Sequence, residues 1–346
     1  GPWLFFEDLP WFLEGLRPAG FLGRLQALAH PELGNPADLL MWSSDEVLRL
    51  ATRYGWDLPG AFLVGQESYR QFQRFAVAPP DLVEAQARLT QYPRLAAEVL
   101  KSGQAGSSAG GEQPKFLATV KHGQDLTPVL VKFSPPTTNE VNQRIADLLV
   151  AEHLGHLVMA AHQIPSPASS VLHAEGRCFL EVQRFDRQGP AHRLGQVSLG
   201  ALDAGLLGTE QSSWSASVGR LVQQGLASED DLRRVRWLEV FGCCLGNTDM
   251  HFGNLAFLLD GTQPRGLAPV YDMLPMHYFP RHQELSSSPF PLPPAKAAQA
   301  LQVPDAVKAA ADLWQAVAAD RRVSRDFQQI AREAQKRVMG LGGGPK

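Results

Sequence analysis

The stretch that most restricts the fold is the most apolar one, Trp237 to Leu259, because Glu239, Asn247, Asp249, His251 and Asn254 interrupt it. A membrane span does not tolerate so many strong polar groups at ordinary cost. A packed core does not take them without partners either, since burying an unbonded polar group is expensive. What remains is a loop, GNTDMHFGN over 246–254, anchored by apolar segments on both sides and open at its tip. Ser228-x-x-Asp231 caps a helix leading into that loop, with Leu232, Val235, Leu238 and Phe241 on one face. The run after it, LAFLLDG, reads as a strand returning through a turn at Asp260-Gly261. Then APVYDMLP places Asp272 after a short apolar run and before a proline.

Length and composition narrow the class. A chain of 346 residues exceeds one small domain, so about two units are expected. With 44% apolar and 19% charged residues the chain is an ordinary globular one, which excludes disorder, collagen and coiled coil. The net charge is 32 − 35 = −3, so no global basic excess points to nucleic acid or an anionic membrane. Three cysteines, two of them adjacent and none in a C-x-x-C, make neither a disulfide framework nor a zinc site, and a cytoplasmic location is expected. The opening GPWLFFEDLPWFLEGL lacks a basic lead and carries Glu7, Asp8 and Glu14, so no signal peptide is expected.

Three parts are expected along the chain. Residues 1–100 read as a helical subdomain broken by prolines, Pro93 among them. Residues 101–186 read as a small lobe of strands around a helix, and 187–346 as a mainly helical lobe. In the middle part Phe116–Val120 and Val129–Phe133 form a hairpin with a longish loop. Thr137-x-x-Glu140 is a possible capping box for a helix running to about Leu154, with Val141, Ile145, Leu148 and Leu149 on one face. Cys178–Val182 is a further strand.

Lys132 sits inside the apolar run VLVKF. A buried ammonium needs an anion, because removing the partner of a buried charge costs about 3–5 kcal/mol. A nucleotide phosphate, Glu140 and Glu152 are the candidates, and a lysine snorkelling to water from an edge strand is the structural alternative. Glu140 has its own alternative as the far member of the capping box. The preceding loop, GQAGSSAGGEQPK, has no Walker sequence, yet Gly106, Gly110 and Gly111 let backbone N–H groups approach phosphates, with a plain linker as the competing reading.

Asp249, Asn254 five residues on, and Asp272 after a hairpin follow the order used in protein-kinase catalytic loops. There the aspartate accepts the proton of the attacking hydroxyl, and the asparagine and second aspartate hold Mg²⁺, which wants hard oxygen ligands. Taken singly, these residues are also ordinary turn formers and caps.

SSAGGEQPKFLA, PVLVKF, EVQRFDR, GNTDMHFGN and VYDMLP, spread in order from about residue 102 to 275, resemble the HipA family of bacterial serine/threonine kinases, the toxins of type II toxin–antitoxin systems. The resemblance implies an α+β, two-lobed protein-kinase-like fold that binds ATP and Mg²⁺. It implies Asp249 as catalytic base, Asn254 and Asp272 as metal ligands, and Lys132 as the phosphate-contacting lysine. Glu181, Gln183 and Phe185 would be the hinge beside adenine. Gln183 departs from the acidic residue common there, which shifts adenine contact toward backbone groups. His251 belongs to the motif, either orienting the loop or as a satisfied structural histidine. The family autophosphorylates a loop serine, here Ser107 or the adjacent Ser108.

The implied partners are a protein substrate, with an aminoacyl-tRNA synthetase as the natural guess, and an antitoxin. The opening LPWFLEGLRPAGFLGR is similar to longer HipA-like proteins with a DNA-binding winged helix, so DNA contact is expected only through an upstream segment or a partner. No membrane partner is expected. Two rivals compete: a non-catalytic kinase-fold module binding an antitoxin or DNA, and a metal-dependent phosphohydrolase or nuclease suggested by Asp249-x-His251. The proline-rich 281–296 reads as a lid or a surface loop.

Overall fold

The computed structural model describes residues 8–103, 113–208, 213–293 and 304–342. In chain order these form α1 (Gly20–Ala29), α2 (Ser44–Tyr54), α3 (Gln66–Val77), β1 (Leu82–Glu84), α4 (Arg88–Gly103), β2 (Lys115–His122), β3 (Asp125–Phe133), α5 (Glu140–Ala161), β4 (Ser169–Ala174) and β5 (Arg177–Gln183). There follow β6 (Arg187–Gln188), β7 (His192–Arg193), β8 (Gly195–Ser198), α6 (Leu199–Leu202), α7 (Trp214–Gln223), α8 (Glu229–Leu245), β9 (Ala256–Asp260), β10 (Gln263–Leu267), α9 (Pro304–Ala319) and α10 (Arg325–Gly342). No helix among the described residues is long and apolar enough to cross a membrane.

The chain divides into two compact units, Gly1–Val131 with Gln183–Glu210 and Ala256–Arg265, and Lys132–Val182 with Gln211–Leu255 and Gly266–Lys346. In the first unit α2 is started by a full capping box between Ser43 and Glu46, and its apolar stripe enters a core of Leu9, Leu16, Leu33, Trp42, Val47, Leu50, Ala51 and Leu58. Pro93 lies within α4 and does not end it. β1 runs parallel to β2, with Leu82 opposite Thr119. The β2–β3 connection is shorter than the sequence suggests: only Gly123 and Gln124 separate the strands, and Gly123 takes the φ of +62° that such a tight turn requires.

β8 pairs antiparallel with β9, and β10 neighbours β9 on its other side, so the expected return strand is present and the turn falls on Gly261 and Thr262, directly after Asp260. The EVQRFDR segment works here as a clamp. Arg184 and Arg187 both bond Asp57 and Asp186, and Arg193 donates to the carbonyls of Leu58 and Gly60. Burial alone would push the Asp186 carboxyl up, but Arg184 and Arg187 hold it down at about 2.

In the second unit the 22-residue α5 is buried over most of its surface, including Ala146, Leu148, Leu149, Val150, Ala151 and Leu154. It continues past Leu154 to Ala161, passing close under another segment at Gly155, where a Cβ would lie 2.9 Å from the Met273 carbonyl oxygen. The proposed capping box is corrected. The N-cap is Asn139, whose Oδ1 accepts from Asn142 N at 2.8 Å, while Thr137 Oγ1 donates to the Gly176 carbonyl at 3.0 Å.

α8 starts as read. The Ser228 hydroxyl accepts from Asp231 N, the Asp231 carboxylate accepts from Ser228 N, and Leu232, Val235, Leu238 and Phe241 are buried. α8 packs on α7 and α9, and α9 on α5 and α10. Tyr278, Phe290, Trp314 and Phe327 form an aromatic cluster beneath the α8 C-terminus, with Phe290 stacked 5.8 Å from Trp314.

Candidate active site

Lys132 stands at the end of β3, where Val131 and Phe133 on either side of it are wholly buried, and it is itself only 8% exposed. Its Nζ donates to both carboxylate oxygens of Glu152, at 2.6 and 2.8 Å, and to Asp272 Oδ1. Burial alone would push the ammonium down, but the Asp272 and Glu152 carboxylates outweigh it and leave Lys132 above its ordinary value. The lysine is therefore paired inside the protein and does not snorkel. Of the two glutamates on α5, Glu152 is its partner. Glu140 is exposed in the first turn, roughly 18 Å back along the helix axis at 1.5 Å per residue.

His156 lies one turn beyond Glu152 and is buried. Its Nδ1 is 2.9 Å from the Ser169 hydroxyl, which is also 2.9 Å from His153 Nδ1. Its Nε2 has no hydrogen-bond partner among the described residues. Burial, then the charge of Lys132, pushes the imidazole down to about 3, so it is neutral.

The loop after α8 turns on Gly246, whose φ of +69° suits a residue without Cβ and whose N–H caps the helix on the Cys243 and Gly242 carbonyls. Asn247 N then donates to Gly242 O at 2.9 Å, and His277 N to Gly246 O at 2.9 Å. Asp249 is exposed at the tip, as the pattern of the run suggests. Its backbone is braced on both sides. Its N–H donates to Asn247 Oδ1 at 3.1 Å, and its carbonyl accepts from Asn254 Nδ2 at 2.8 Å.

Asn247 Nδ2 also donates to the Asp272 carbonyl at 3.2 Å. His251 Nδ1 accepts from Gly253 N at 3.0 Å, and its carbonyl accepts from Trp214 Nε1 at 3.2 Å. It thus shapes the 3₁₀ turn Phe252–Asn254 that carries Asn254. Tyr271 donates its hydroxyl to the Gly253 carbonyl at 2.9 Å. Asp272 adopts φ +56°, a left-handed conformation that aspartate tolerates better than most residues.

The donor set suits a hard cation. Asn254 Nδ2 is committed to the Asp249 carbonyl, so of its amide only the oxygen could serve a cation, and the Asp272 carboxylate is 29% exposed. One amide oxygen and one carboxylate, with no nitrogen or sulfur, match Mg²⁺, which takes its other ligands from water and phosphate. Among the described residues no three His, Cys, Asp or Glu cluster as metal donors.

Lys132, Glu152, Asp272, Asn247, Asp249 and Asn254 are thus linked by direct bonds within one unit. Glu181 is also in that unit, on β5, 9% exposed, with its Oε1 accepting from Ser170 Oγ at 3.3 Å. Gln183, exposed, and Phe185, half-buried, belong to the first unit. Ser107, Ser108, Gly110 and Gly111 lie outside the described residues. Sequence reasoning missed the roles of Asn247 and His156. For Glu152 a signal existed, because it falls seven residues after Ile145, on the apolar face with Leu148 and Leu149.

A family model described as the HipA-like C-terminal domain matches residues 107–340, and one described as the YjjJ-like toxin, middle domain, matches residues 2–73. Toxin YjjJ of Escherichia coli (strain K12) is 36% identical over 342 residues, covering 96% of this chain and 75% of that protein. In structure the chain is similar to HipA of Shewanella oneidensis MR-1, solved as a complex with HipB and its operator DNA. The TM-score is 0.59 at 14% identity, covering 96% of this chain and 84% of that one. At that identity the likeness speaks for the fold, and it is the α+β, kinase-like fold that the motifs imply. The C-terminal match takes in two thirds of the residues and the curated relative aligns almost end to end with this sequence, so the chain belongs to the HipA-like family that includes toxin YjjJ.

Proposed function

We propose that this chain is an ATP-dependent protein serine/threonine kinase acting as a cytoplasmic toxin restrained by an antitoxin. The observation that carries the reading is Lys132, buried and bonded at once to Glu152 on α5 and to Asp272. A strand lysine paired to a helix glutamate beside an aspartate placed to hold metal is the arrangement that protein kinases use for phosphoryl transfer.

In this reading Asn254 and Asp272 hold Mg²⁺, Lys132 contacts a phosphate, and Glu181, Gln183 and Phe185 lie beside adenine. Mg-ATP, when bound, supplies the phosphoryl group with its charge partly neutralised. Asp249, exposed at the loop tip, accepts the proton of a substrate serine or threonine hydroxyl. Lys132 stays cationic throughout, since it sits above its ordinary value with two carboxylates at hand. Gly110 and Gly111 belong to the phosphate loop, and Ser107 or Ser108 is its self-modification site. The division into a subdomain over 1–100, a small lobe over 101–186 and a helical lobe over 187–346 goes with this reading. So does a protein substrate such as an aminoacyl-tRNA synthetase.

The test is intact mass and phosphopeptide mapping of the purified chain with and without Mg-ATP, beside Asp249→Asn. One added phosphate on the peptide containing Ser107 and Ser108, absent in the variant, is the expected result. General-base loss should slow transfer by about 10²–10⁴-fold. Full transfer activity in a folded Asp249→Asn protein would overturn the assignment of the base. Failure of the wild type to bind Mg-ATP would overturn the function.

A further inference from the structure

Asn247 is 8% exposed and uses both ends of its amide. Oδ1 accepts the Asp249 N–H at 3.1 Å, and Nδ2 donates to the Asp272 carbonyl at 3.2 Å with Met273 Sδ at 3.4 Å. The amide orientation is fixed by its neighbours, because a flip would set NH₂ against N–H and oxygen against oxygen. Only a side chain that accepts at one atom and donates at the next spans these two groups. Aspartate has no donor when ionised, and leucine has neither function.

The two backbones it joins are 23 residues apart by subtraction, 272 − 249, and each needs restraint. Asp249 is in an exposed loop tip with no regular structure, and Asp272 holds φ +56°. Such a conformation persists only where the surroundings over-determine it. Asn254 holds the opposite face of Asp249 through its carbonyl, while Asn247 is bonded directly to the backbones of both Asp249 and Asp272.

We infer that Asn247 is a positioning residue that couples the proton-accepting Asp249 to the metal-binding Asp272, an inference that rests on the kinase reading of those two residues. In that reading it acts through the two aspartates it bonds and not on substrate or metal itself. It fixes where the base stands relative to the cation site, and misplacement of about 1 Å at such a distance costs about 10²-fold in rate.

The experiment compares wild type, Asn247→Asp and Asn247→Leu in steady-state phosphoryl transfer, together with hydrogen exchange of the 246–254 segment in the full chain. Asn247→Asp keeps an oxygen for the Asp249 N–H and loses the donor to Asp272. Asn247→Leu loses both. The expected order of kcat is wild type, then Asn247→Asp about tenfold lower, then Asn247→Leu about a hundredfold lower, with KM for ATP changed far less, as for a loss confined to the transition state. The Asp249 amide should exchange faster in Asn247→Leu but not in Asn247→Asp. A folded Asn247→Leu protein with kcat within about twofold of wild type would overturn the inference, as would a change confined to KM. If Asn247→Leu does not fold, Asn247→Asp decides on kcat. If the wild type transfers no phosphate, the kinase reading fails by itself. The exchange comparison then decides the bracing, and unchanged exchange overturns it.

Discussion

The neutral, buried His156 makes a quantitative claim about acid stability. Its ordinary value is 6.5 and its folded value about 3, so between those limits the unfolded chain binds a proton that the native protein refuses. Stability therefore rises with pH across that window and is lost as pH falls from about 6.5 toward 3. Each unit of separation is worth about 1.4 kcal/mol, so relative to pH 7.5 the native state loses about 1.4 kcal/mol by pH 5.5 and about 2.6 kcal/mol by pH 4.5 from this residue alone.

Burial is the largest cause of the shift, and the charged and titratable groups that add to it are Lys132, which lowers it further, Asp272, which opposes, and His153, which lowers it. The perturbation is His156→Asn, which offers Ser169 an amide in place of Nδ1 and cannot titrate. Urea unfolding followed by tryptophan fluorescence at pH 7.5, 5.5 and 4.5 measures both proteins. Other carboxylates titrate equally in the two chains, so the wild-type advantage over the variant should shrink by about 2.6 kcal/mol across the range. A difference constant to within about 0.5 kcal/mol would refute the claim that the folded site excludes the imidazolium.

Three further outcomes follow from the same unit. Lys132→Met should destabilise by about 3–5 kcal/mol by taking the ammonium away from Glu152, whose side chain is 2% exposed, and adding Glu152→Gln should restore part of that loss. Strict additivity of the two changes in denaturation would contradict the pairing. Asp272→Ala should weaken Mg²⁺-dependent nucleotide binding by at least about tenfold in calorimetry, in line with a lost ligand, and unchanged affinity would remove Asp272 from the metal site. Gly246→Ala puts a side chain at φ +69° with its Cβ 2.6 Å from Phe290 Cγ, and should cost roughly 1–3 kcal/mol in urea unfolding. A neutral result would mean that the α8 terminus is less tightly packed on Phe290 than the structure has it.

What was readable beforehand follows a physical line. The Ser228–Asp231 box, the apolar face of α8 and the strand bearing Lys132 depend on neighbours within a few residues, and each lies where the pattern puts it. The polar run after α8 was legible for a different reason, because strong polar groups between apolar segments must have partners or a task. Choices among equivalent partners were not legible. Thr137 and Asn139 both satisfy the local rule for a cap. The tie is broken by the Gly176 carbonyl, 39 residues away, which takes the Thr137 hydroxyl.

The arginines of EVQRFDR gave no local hint that their anions include Asp57, 127 residues upstream of Arg184. Lys132 falls between these cases. Periodicity on α5 already turns Glu152 inward, and a buried carboxylate and a buried ammonium on facing elements have strong reason to meet, since each alone is far costlier than the pair. Asp272 could not be placed the same way, because its approach to Lys132 depends on a left-handed backbone held by Asn247 from another loop. In this chain the charged pair was inferable from burial. The geometry that makes it a candidate catalytic centre rests on an uncharged amide whose importance only its two hydrogen bonds reveal.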